Sequence, residues 1–564
     1  MKIRLEQLNP VAGDIEGNQS LITASLQKAE DAGIDLLILP EMVLTGYPVQ
    51  DLLEKEYFRE RCYRANETIV QSAGNTALLF GTITPNDDKP GRKMFNSALL
   101  VHQGKIIGQT HKSLLPTYDV FDDLRYFEPG TEFTCLSFQG VKLGVTICED
   151  IWYNENEIQY HTYSEDPAKE LKEKGAQVII NISASPYTAR KHENRLNMLK
   201  NHAKKLGLPV LYSNQVGSHT DIIFDGDSVA ISSGAEVIAK TEPFVTSHTD
   251  VEWNVKQDIL KEIPRKTGIN ISEYPVSKEE RQFKAIKLGL KDYLTKTGMA
   301  KDVVLGLSGG IDSALVAVLA VETLGAEHVK AVTMPGEFSS EGSVSDSEKL
   351  AENLGIELLE LPIGELFNQY SAVLKPVFGD LPFGVAEENL QSRIRGTLLM
   401  AYSNKFGNFL LTTGNKSEYA VGYATLYGDM NGSLAIIGDL YKTEVYDLSQ
   451  WMNTSYYKKE VIPGAILQKP PSAELRPGQK DSDSLPEYDV LDDILYRYLE
   501  LQENADNIIK SGYNSEIVQK VIKMVDMNEF KRYQAAPVLK LSSKSFGTGR
   551  RWPVVQRWTS NELS

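Results

Sequence analysis

Three side chains in the first third of the sequence carry the functional groups for nucleophilic attack on a carbonyl carbon. Each lies at the end of a short apolar run: Glu41 ends "DLLILPE", Lys112 follows "IIGQTH", and Cys148 ends "GVTIC". Strand ends in a layered α/β fold lie at its rim, where ligands bind. Because a thiol is mostly protonated at neutral pH, Cys148 needs a base, and Glu41 could take its proton. Lys112 could then stabilise the thiolate and the oxyanion of a tetrahedral intermediate.

A glycine turn in the second half of the chain has the character of an anion site. "DVVLGLSGGIDSALVAV" places residues 308–313, Ser-Gly-Gly-Ile-Asp-Ser, between an apolar strand and an apolar helix. Glycines at such a junction let backbone N–H groups face an anion. The sequence lacks the GxxxxGK[ST] pattern of ATPase P-loops, so the stretch predicts a phosphate loop without its own lysine.

Length and composition limit the classes of protein that can hold these residues. A chain of 564 residues is too long for one core, so we expect two or more domains. The 59 basic and 76 acidic residues give a net charge of -17, which argues against a nucleic-acid partner. Three cysteines indicate a reducing compartment, and the sequence has no apolar signal core and no membrane-length apolar run. We therefore expect a cytoplasmic protein with no membrane partner.

The pattern of apolar runs divides the chain into two α/β regions. Up to about Phe244, short apolar runs such as "IDLLILP", "VKLGVTIC" and "AQVIINIS" alternate with helical spacing. A polar stretch typical of a linker follows, and then "DVVLGLS", "VKAVTMP" and "IELLELPI" alternate with helices and predict a parallel sheet. We predict a first domain at 1–255, a linker at 256–278 and a second domain at 279–564. The polar, Pro-rich segment 469–489 is long enough to be functional.

The surroundings of the first three residues resemble the nitrilase superfamily. The resemblance lies in "LILPEMVLTGYP", "HKSLLPTYDVFDDLRYF" and "GVTICEDIW" and extends from "QLNPVAGDIEGN" to about Ile238. It implies a nitrilase-like αββα sandwich with Glu41, Lys112 and Cys148 as the catalytic set, and within the superfamily it is similar to a glutaminase module. The residues that would bind glutamine in such a module are Tyr118, Ser185 and Lys191. Many relatives carry Glu where this chain has Asp123, whose shorter side chain we expect to reach less far toward the lysine.

The glycine turn, read as SGGxDS, resembles the N-type ATP pyrophosphatase family, which cleaves ATP between the α- and β-phosphates. "LLTTGNKSEYAVGYATLYGDMNGSLAIIGDLYKTEVYDL", "ENLQSRIRGTLLM" and "KPPSAELRPGQKDSDSLPEYDVLDDIL" closely resemble the NAD synthetase family. The resemblance implies a Rossmann-like parallel α/β domain. The residues that it assigns to ATP are Gly306, Leu307, Ser308, Gly309, Gly310, Ile311, Asp312, Ser313 and Thr413. Those that it assigns to deamido-NAD are Asn389, Glu418 and Lys531.

The same resemblance implies a Mg²⁺ ion at Asp312 and Glu418, since a hard dication needs oxygen ligands. Two arginines near Asn389 have two interpretations: Arg393 and Arg395 could each pair with a phosphate or carboxylate, or be solvated on a helix. Segment 469–489 would be a lid that orders over the substrate and excludes water.

Together the two resemblances predict a carbon–nitrogen ligase that takes its nitrogen from glutamine. Glutaminase chemistry at Cys148 would release ammonia and glutamate, while the second domain would adenylate deamido-NAD (nicotinic acid adenine dinucleotide) with ATP. Attack by ammonia would then give NAD, AMP and pyrophosphate. Because ammonia in neutral water is mostly ammonium, the fusion makes physical sense if a shielded passage joins the two sites. Nitrilase-like domains commonly pair, so the resemblance also implies a homo-oligomer.

Three other interpretations are open at this point. The acceptor could differ, as in GMP or asparagine synthesis, although "TGNKSEYAVGYATLYGD" favours NAD synthesis. The first domain could be a catalytically silent module for binding and assembly, with the second domain using free ammonia. It could instead be an amidase that hydrolyses other amides without ATP. A substrate panel and a Cys148→Ala variant distinguish these possibilities.

Overall fold

The computed structural model describes residues 1–87, 91–152, 163–189, 191–264 and 277–558. The chain divides into two compact units, Met1–Val276 and Ser277–Ser564. The predicted linker, 256–278, contains a short strand at Ile259–Glu262, and Lys278 already begins a helix. Residues 265–276 of that linker lie outside the described part of the chain. Within the described ranges, no helix combines the length and the apolar composition that a bilayer crossing requires.

The first unit contains strands and helices in alternation. Its strands are β1 (Lys2–Gln7), β2 (Leu36–Ile38), β3 (Ala77–Pro85), β4 (Met94–His102), β5 (Lys105–His111), β6 (Leu136–Phe138), β7 (Val141–Ile147), β8 (Val178–Ser183), β9 (Val210–Asn214), β10 (Val216–His219), β11 (Ile222–Asp225), β12 (Val229–Ile231), β13 (Val237–Lys240), β14 (Ser247–Asn254) and β15 (Ile259–Glu262). Its helices are α1 (Ile15–Asp31), α2 (Glu56–Ser72), α3 (Asp123–Tyr126), α4 (Pro167–Glu173) and α5 (Lys191–Leu206), with 3₁₀ turns at Gln50–Glu54 and Cys148–Ile151.

Two sheets pack face to face in this unit. One has the strand order β15-β14-β1-β2-β3-β4-β5 and the other β13-β12-β9-β8-β7-β6, while β10 and β11 form a hairpin. The central strands run parallel, β1-β2-β3 in one sheet and β7-β8-β9 in the other. Fully buried side chains fill the space between the sheets, among them Ile3, Leu36 and Leu79 from the first and Leu143 and Ile180 from the second. Each such side chain contributes about 1.5–3 kcal/mol of burial free energy.

Helices cover the outer face of each sheet. Helices α1 and α2 pack on the first sheet, and α4 and α5 pack on the second. Helix α1 shows why these segments are helical: Ile15, Ile22, Leu26 and Ala29 recur on one buried face, and the Asp14 side chain caps its first turn. The layers therefore run helix, sheet, sheet, helix, which confirms the predicted αββα sandwich.

The second unit is built on one parallel sheet. Its strands are β16 (Val303–Gly306), β17 (Val329–Thr333), β18 (Glu357–Glu360) and β19 (Phe409–Leu411). Its helices are α6 (Lys278–Thr297), α7 (Ile311–Leu324), α8 (Glu341–Leu354), α9 (Gly364–Phe378), α10 (Val385–Phe406), α11 (Lys416–Val421), α12 (Lys442–Trp451), α13 (Gly464–Gln468), α14 (Tyr488–Leu499), α15 (Ala505–Lys510), α16 (Ser515–Met527) and α17 (Glu529–Arg532).

The strand order β18-β17-β16-β19 places β16 inside the sheet, with every neighbouring pair parallel. Buried Val303, Val304 and Leu305 explain why β16 reads as a continuous apolar run. Helix α7, which follows β16, contacts α6, α12 and β17 and is therefore apolar on nearly all sides. This arrangement confirms the predicted Rossmann-like parallel domain and leaves the glycine turn at the carboxyl end of a central strand.

Two candidate active sites

Cys148 lies in a strained turn directly after the buried strand β7. Its φ angle is +45°, in the left-handed region that non-glycine residues rarely adopt. The Asp150 carboxylate holds this turn, because it accepts hydrogen bonds from Ile147 N (2.9 Å), Ser113 N (3.0 Å) and Leu114 N (2.8 Å). Burial raises the pKa of Asp150 to about 7, although these N–H groups favour its charged form. The same carboxylate thus joins the cysteine turn to the segment that follows Lys112.

Lys112 is fully buried between two carboxylates. Its Nζ donates to Glu41 Oε1 at 2.9 Å and to Asp123 Oδ2 at 2.6 Å. Burial opposes the ammonium charge, but Asp123 and Glu41 raise the pKa of Lys112 well above its usual value. The expectation that Asp123 reaches less far was wrong, since α3 begins at this residue and brings its short side chain to the lysine. Tyr47 OH also donates to Asp123, at 2.8 Å.

The Glu41 carboxylate is held in place by further donors. Asn96 Nδ2 donates to Oε1 at 2.7 Å, and the Ala184 backbone N–H donates to Oε2 at 2.8 Å. Burial and the Glu41 charge raise the pKa of the Cys148 thiol, whereas Lys112 lowers it. The thiol is therefore protonated at neutral pH and has a carboxylate close enough to act on it electrostatically. This arrangement can support attack on a carbonyl with transfer of the thiol proton to Glu41.

The three predicted glutamine-binding residues are each linked to this site. Tyr118 and Lys191 both interact electrostatically with Cys148, and Ser185 follows Ala184, whose backbone N–H donates to Glu41. Tyr118 OH donates to both oxygens of Glu149, at 3.0 Å each. Ser185 Oγ is buried and has no hydrogen-bond partner among the described residues. Lys191 begins α5, and its ammonium lies 5.2 Å from the ring centroid of Trp152. Burial lowers the pKa of Lys191, and an anion beside it would favour its charged form.

Glu149 is a site residue to which the sequence analysis gave no role. It is buried directly after the cysteine and accepts from Tyr163 OH at 2.9 Å as well as from Tyr118. Burial raises the pKa of Glu149, although Lys112 and the two tyrosines lower it. The signal in the sequence was a carboxylate placed immediately after a cysteine at the end of an apolar strand.

In the second unit, the glycine turn opens onto a cavity of about 280 Å³. Gly309 has a φ of +73°, and a Cβ there would lie 2.3 Å from the backbone oxygen of Ser343, so this position requires glycine. Helix α7 starts at the edge of the cavity, where the N–H groups of a helix N-terminus can bind an anion. The predicted site residues that line the cavity are Gly306, Leu307, Ser308, Gly310, Ile311, Asp312, Ser313, Thr413 and Glu418.

The cation that the phosphate loop lacks comes from α12. Lys442 Nζ lies 2.5 Å from Asp312 Oδ2 and 3.3 Å from Glu418 Oε1, and Asn415 Nδ2 donates to Asp312 Oδ1 at 2.8 Å. Sequence analysis missed Lys442, which stands 130 positions after Asp312. The only local signal was its place in "GDLYKTEVYDL", a stretch already noted for its resemblance.

The chemistry of this donor set fits one divalent ion that the substrate helps to bind. Burial and the Asp312 charge raise the pKa of Glu418 to about 8, and Lys442 opposes that rise. Among the described residues no cluster of three or more His, Cys, Asp or Glu side chains could hold a metal. Asp312 and Glu418 would therefore supply two oxygen ligands, and phosphate oxygens and water the others.

Asn389 and Lys531 lie behind the cavity wall rather than in it. Thr425 Oγ1 donates to Asn389 Oδ1 at 2.8 Å, and Lys531 Nζ donates to Gly422 O at 2.7 Å and Ala424 O at 2.8 Å. Both residues thus hold the segment 422–425, and Ala424 itself lines the cavity.

The structure separates the two arginines of α10. Arg395 lines the cavity and donates to Met334 O at 3.0 Å, and burial lowers its pKa to about 10. Arg393 is exposed and donates to Leu426 O at 3.2 Å. Of the two, Arg395 is the one placed to meet a ligand phosphate.

The first part of segment 469–489 forms one wall of the cavity. Residues 469–475 and Asp481 line it. Glu474 accepts from the hydroxyls of Ser340 (2.9 Å) and Ser343 (2.8 Å) at the start of α8, and Lys469 also contacts Ser343. These contacts join the segment to the start of α8, which also lines the cavity.

Comparisons with known proteins give matches along the whole chain. The family model described as carbon–nitrogen hydrolase matches residues 2–252, and that described as NAD synthase matches residues 282–535. A glutamine-dependent NAD(+) synthetase from Synechocystis sp. is 45% identical over 559 residues, 98% of each chain. One from Thermotoga maritima is 41% identical over 588 residues, 99% of each chain. The solved structure of glutamine-dependent NAD+ synthetase from Acinetobacter baumannii in complex with ADP has a TM-score of 0.77 and 36% identity, covering 99% of both chains.

Proposed function

The chain belongs to the glutamine-dependent NAD(+) synthetase family, and we propose which of its residues perform each half of the reaction. The reaction forms NAD from deamido-NAD, ATP and the amide nitrogen of glutamine. The proposal rests on one observation: each unit holds a buried lysine between two carboxylates, beside a nucleophile or a phosphate loop. Lys112 lies between Glu41 and Asp123 in the first unit.

In the first unit, Cys148 is the nucleophile. Its thiol attacks the side-chain carbonyl of glutamine as Glu41 takes the proton, and Lys112 stabilises the oxyanion. Glu41 then gives the proton to the departing ammonia, which leaves a γ-glutamyl thioester. Water activated by Glu41 attacks the thioester and releases glutamate. Asp123 keeps Lys112 charged throughout, because its carboxylate lies 2.6 Å from the ammonium.

The amino-acid end of glutamine carries an ammonium and a carboxylate, and the site has a counter-charge for each. Glu149, held by the hydroxyls of Tyr118 and Tyr163, would accept the α-ammonium. Lys191 would pair with the α-carboxylate, and Ser185 Oγ, which has no partner in the part of the chain that the structure describes, would hydrogen-bond to the substrate. Both ionic contacts favour the charged forms of groups whose burial disfavours ionisation.

In the second unit, the loop 308–313 and the start of α7 would hold the phosphates of ATP. The nicotinic acid carboxylate of deamido-NAD attacks the α-phosphorus, and Lys442 and Arg395 would stabilise the charge on the pyrophosphate that leaves. Mg²⁺ bound at Asp312 and Glu418 would neutralise phosphate charge. Ammonia then attacks the adenylated carbonyl and AMP leaves. Thr413 contacts ATP in this proposal, while Asn389 and Lys531 shape the deamido-NAD side of the cavity.

We also propose a cytoplasmic homo-oligomer. The three free cysteines support a reducing compartment. A self-association surface is supported by exposed apolar side chains on and after α9, namely Val373, Val377, Leu381 and Val385, each about 70–80% exposed. Multi-angle light scattering tests the assembly, and Val377→Asp should shift the mass toward the monomer if this surface is used.

A substrate panel tests the proposed reaction. Purified protein is given ATP, Mg²⁺ and glutamine with deamido-NAD, xanthosine monophosphate or aspartate as the acceptor. We expect a product only with deamido-NAD, with one AMP, one pyrophosphate and one glutamate for each NAD. Turnover of another acceptor, or amide hydrolysis that never leads to NAD, would contradict the proposal.

A further inference from the structure

Asn214 uses its whole amide group to hold one glutamine-binding residue in place. It lies fully buried at the end of β9. Its Oδ1 accepts from the backbone N–H of Ser185 at 2.8 Å, and its Nδ2 lies 3.3 Å from Ser185 O. The same Nδ2 donates to Gly226 O at 2.9 Å and lies 3.4 Å from Asp225 Oδ1. Asn214 therefore connects the Ser185 backbone to the turn after β11.

Arg195 connects that turn to the other glutamine-binding residue. It lies one helical turn after Lys191 on α5, and its side chain is only 3% exposed. Its Nη2 donates to Asp225 Oδ2 at 2.8 Å, and its guanidinium lies 5.5 Å from the ring centroid of Tyr212, two residues before Asn214 on β9. Arg195 therefore holds α5, and with it Lys191, against the end of β11 and against β9.

The negative charge of Asp225 also supports Lys191, because it offsets the positive charge of Arg195. Lys191 and Arg195 are like charges four residues apart on a helix, and such pairs repel each other. Burial is the main cause of the lowered pKa of Lys191, and the Arg195 charge lowers that pKa further. Asp225 is a counter-ion to Arg195, so its loss would both loosen α5 and disfavour the charged form of Lys191.

We propose that Asn214, Asp225 and Arg195 are positioning residues for glutamine hydrolysis, because they join the backbone of Ser185 to the helix that begins with Lys191. This inference rests on the proposed function of that site. None of the three residues is required to touch the substrate. Their effect should therefore appear in the KM for glutamine and leave the ammonia-dependent synthesis of NAD unchanged.

The test compares two isosteric changes in the full-length protein, Asp225→Asn and the matched control Asp250→Asn. Asp250 also forms a largely buried pair with an arginine, since Arg4 Nε and Nη2 lie 2.8 and 2.9 Å from its two oxygens, and it belongs to β14 of the same unit. Glutamine-dependent and ammonia-dependent NAD formation and thermal unfolding are measured for both variants. We expect both to unfold at a lower temperature, but only Asp225→Asn to raise the glutamine KM, by tenfold or more.

Two results would overturn the inference. One is a glutamine KM for Asp225→Asn within twofold of wild type; the other is an equal rise for Asp250→Asn, which would indicate a general loss of stability. If Asp225→Asn shows no cooperative unfolding transition, Arg195→Lys replaces it, since it keeps the charge but loses the guanidinium fork. An unchanged glutamine KM in Arg195→Lys also overturns the inference. Failure of the proposed function would look different, because wild type itself would not use glutamine.

Discussion

Lys112, Glu41 and Asp123 form a buried cluster with one negative charge in excess when all three groups are ionised. A thiolate at Cys148 would add a second negative charge in the same low-dielectric surroundings, which explains why burial and Glu41 raise the pKa of the thiol. The thiolate therefore becomes accessible only when its proton passes to Glu41, because that transfer leaves the total charge unchanged. The site is thus set for general-base attack rather than for a resting thiolate.

The role of Asp123 is tested by removing its charge. Asp123→Asn should lower the glutamine-dependent rate by about 10²-fold, because Lys112 would lose the nearer of its two carboxylates. Asp123→Glu should recover most of that rate, since it restores the charge and needs only a small shift to reach the ammonium. Steady-state NAD formation with glutamine measures both, with the ammonia-dependent rate as the internal control. A rate for Asp123→Asn equal to wild type would contradict the assignment.

Lys442 is tested in the second unit against a lysine remote from the cavity. Lys442→Gln should lower ammonia-dependent NAD synthesis by about 10²-fold and raise the KM for ATP, since no other lysine lies between Asp312 and Glu418 among the described residues. Lys296→Gln is the matched control, because Lys296 is largely buried and pairs with Asp292 at 3.1 Å. Equal losses in both variants would mean that the effect of Lys442→Gln is only structural.

The sequence predicted the catalytic set of the first unit, but it did not predict Lys442 or the reach of Asp123. This difference has a physical reason. Glu41, Lys112 and Cys148 each end or follow an apolar run, so strand ends in one fold could be expected to bring them together. Lys442 starts a helix far along the chain, and nothing local says that this helix end meets the phosphate loop. The reach of Asp123 was likewise unpredictable, because it depends on the backbone path into α3 and not on side-chain length.

At the scale of elements, the start of α5 is unusual because it carries Lys191 and Arg195 at the end of a helix that disfavours cations. Lys191 is its first residue and Arg195 follows one turn later, and the helix dipole places partial positive charge at this end. Asp225 and Asp227 offset this charge: Asp227 pairs with His192 and lies 2.8 Å from Lys240 Nζ. The two carboxylates at the end of β11 and in the turn before β12 thus make it possible for α5 to begin with a lysine.

Asp227 gives a prediction about pH. Although burial opposes its ionisation, His192, Lys240 and Arg195 lower the pKa of Asp227 below its unfolded value of about 3.9. Its contribution to stability is therefore complete above the unfolded pKa and is lost as pH falls toward the lower, folded pKa. Asp227→Asn should reduce the free energy of unfolding by about 3 kcal/mol at pH 6.

Denaturant unfolding at pH 6, 4 and 3 measures that contribution. The difference between wild type and Asp227→Asn should shrink as the pH is lowered below about 4, because only the wild type loses a favourable ionisation. A difference that stays constant across this range would show that Asp227 acts through packing and not through its charge.

The main elements of both units followed from the sequence, whereas their edges did not. Buried parallel strands such as β8 and β16 have continuous apolar runs, and both sheets were expected from them. Strand β15 falls inside the predicted linker because "ILKE" is half polar and pairs only with β14 at the sheet edge. An edge strand exposed on one side lacks the apolar signal that a central strand must have.

At the scale of the whole molecule, two separate cores carry two reactions that share one nitrogen atom. Ammonia released in neutral water would become ammonium, which has no lone pair for attack on the adenylated carboxylate. Hydrolysis of glutamine without an acceptor would therefore waste it, so we expect glutaminase activity to depend on the state of the second unit.

Glutamate release measures this dependence. It should rise at least several-fold when ATP and deamido-NAD are both present, and neither alone should have the full effect. Asp312→Asn, which weakens the nucleotide site, should reduce the stimulation and leave the basal glutaminase rate in place. Equal rates of glutamate release with and without the two ligands would mean that the units work independently.

The central claim, that the nitrogen in NAD comes from glutamine through Cys148, is tested most directly by comparing nitrogen donors. NAD formation is measured with glutamine or with ammonium chloride for wild type and for Cys148→Ala. We predict that wild type uses both donors, and that Cys148→Ala loses all glutamine-dependent synthesis but keeps its rate with ammonium. Undiminished synthesis from glutamine by Cys148→Ala would contradict the account, because the nitrogen would then reach the second unit without the proposed nucleophile.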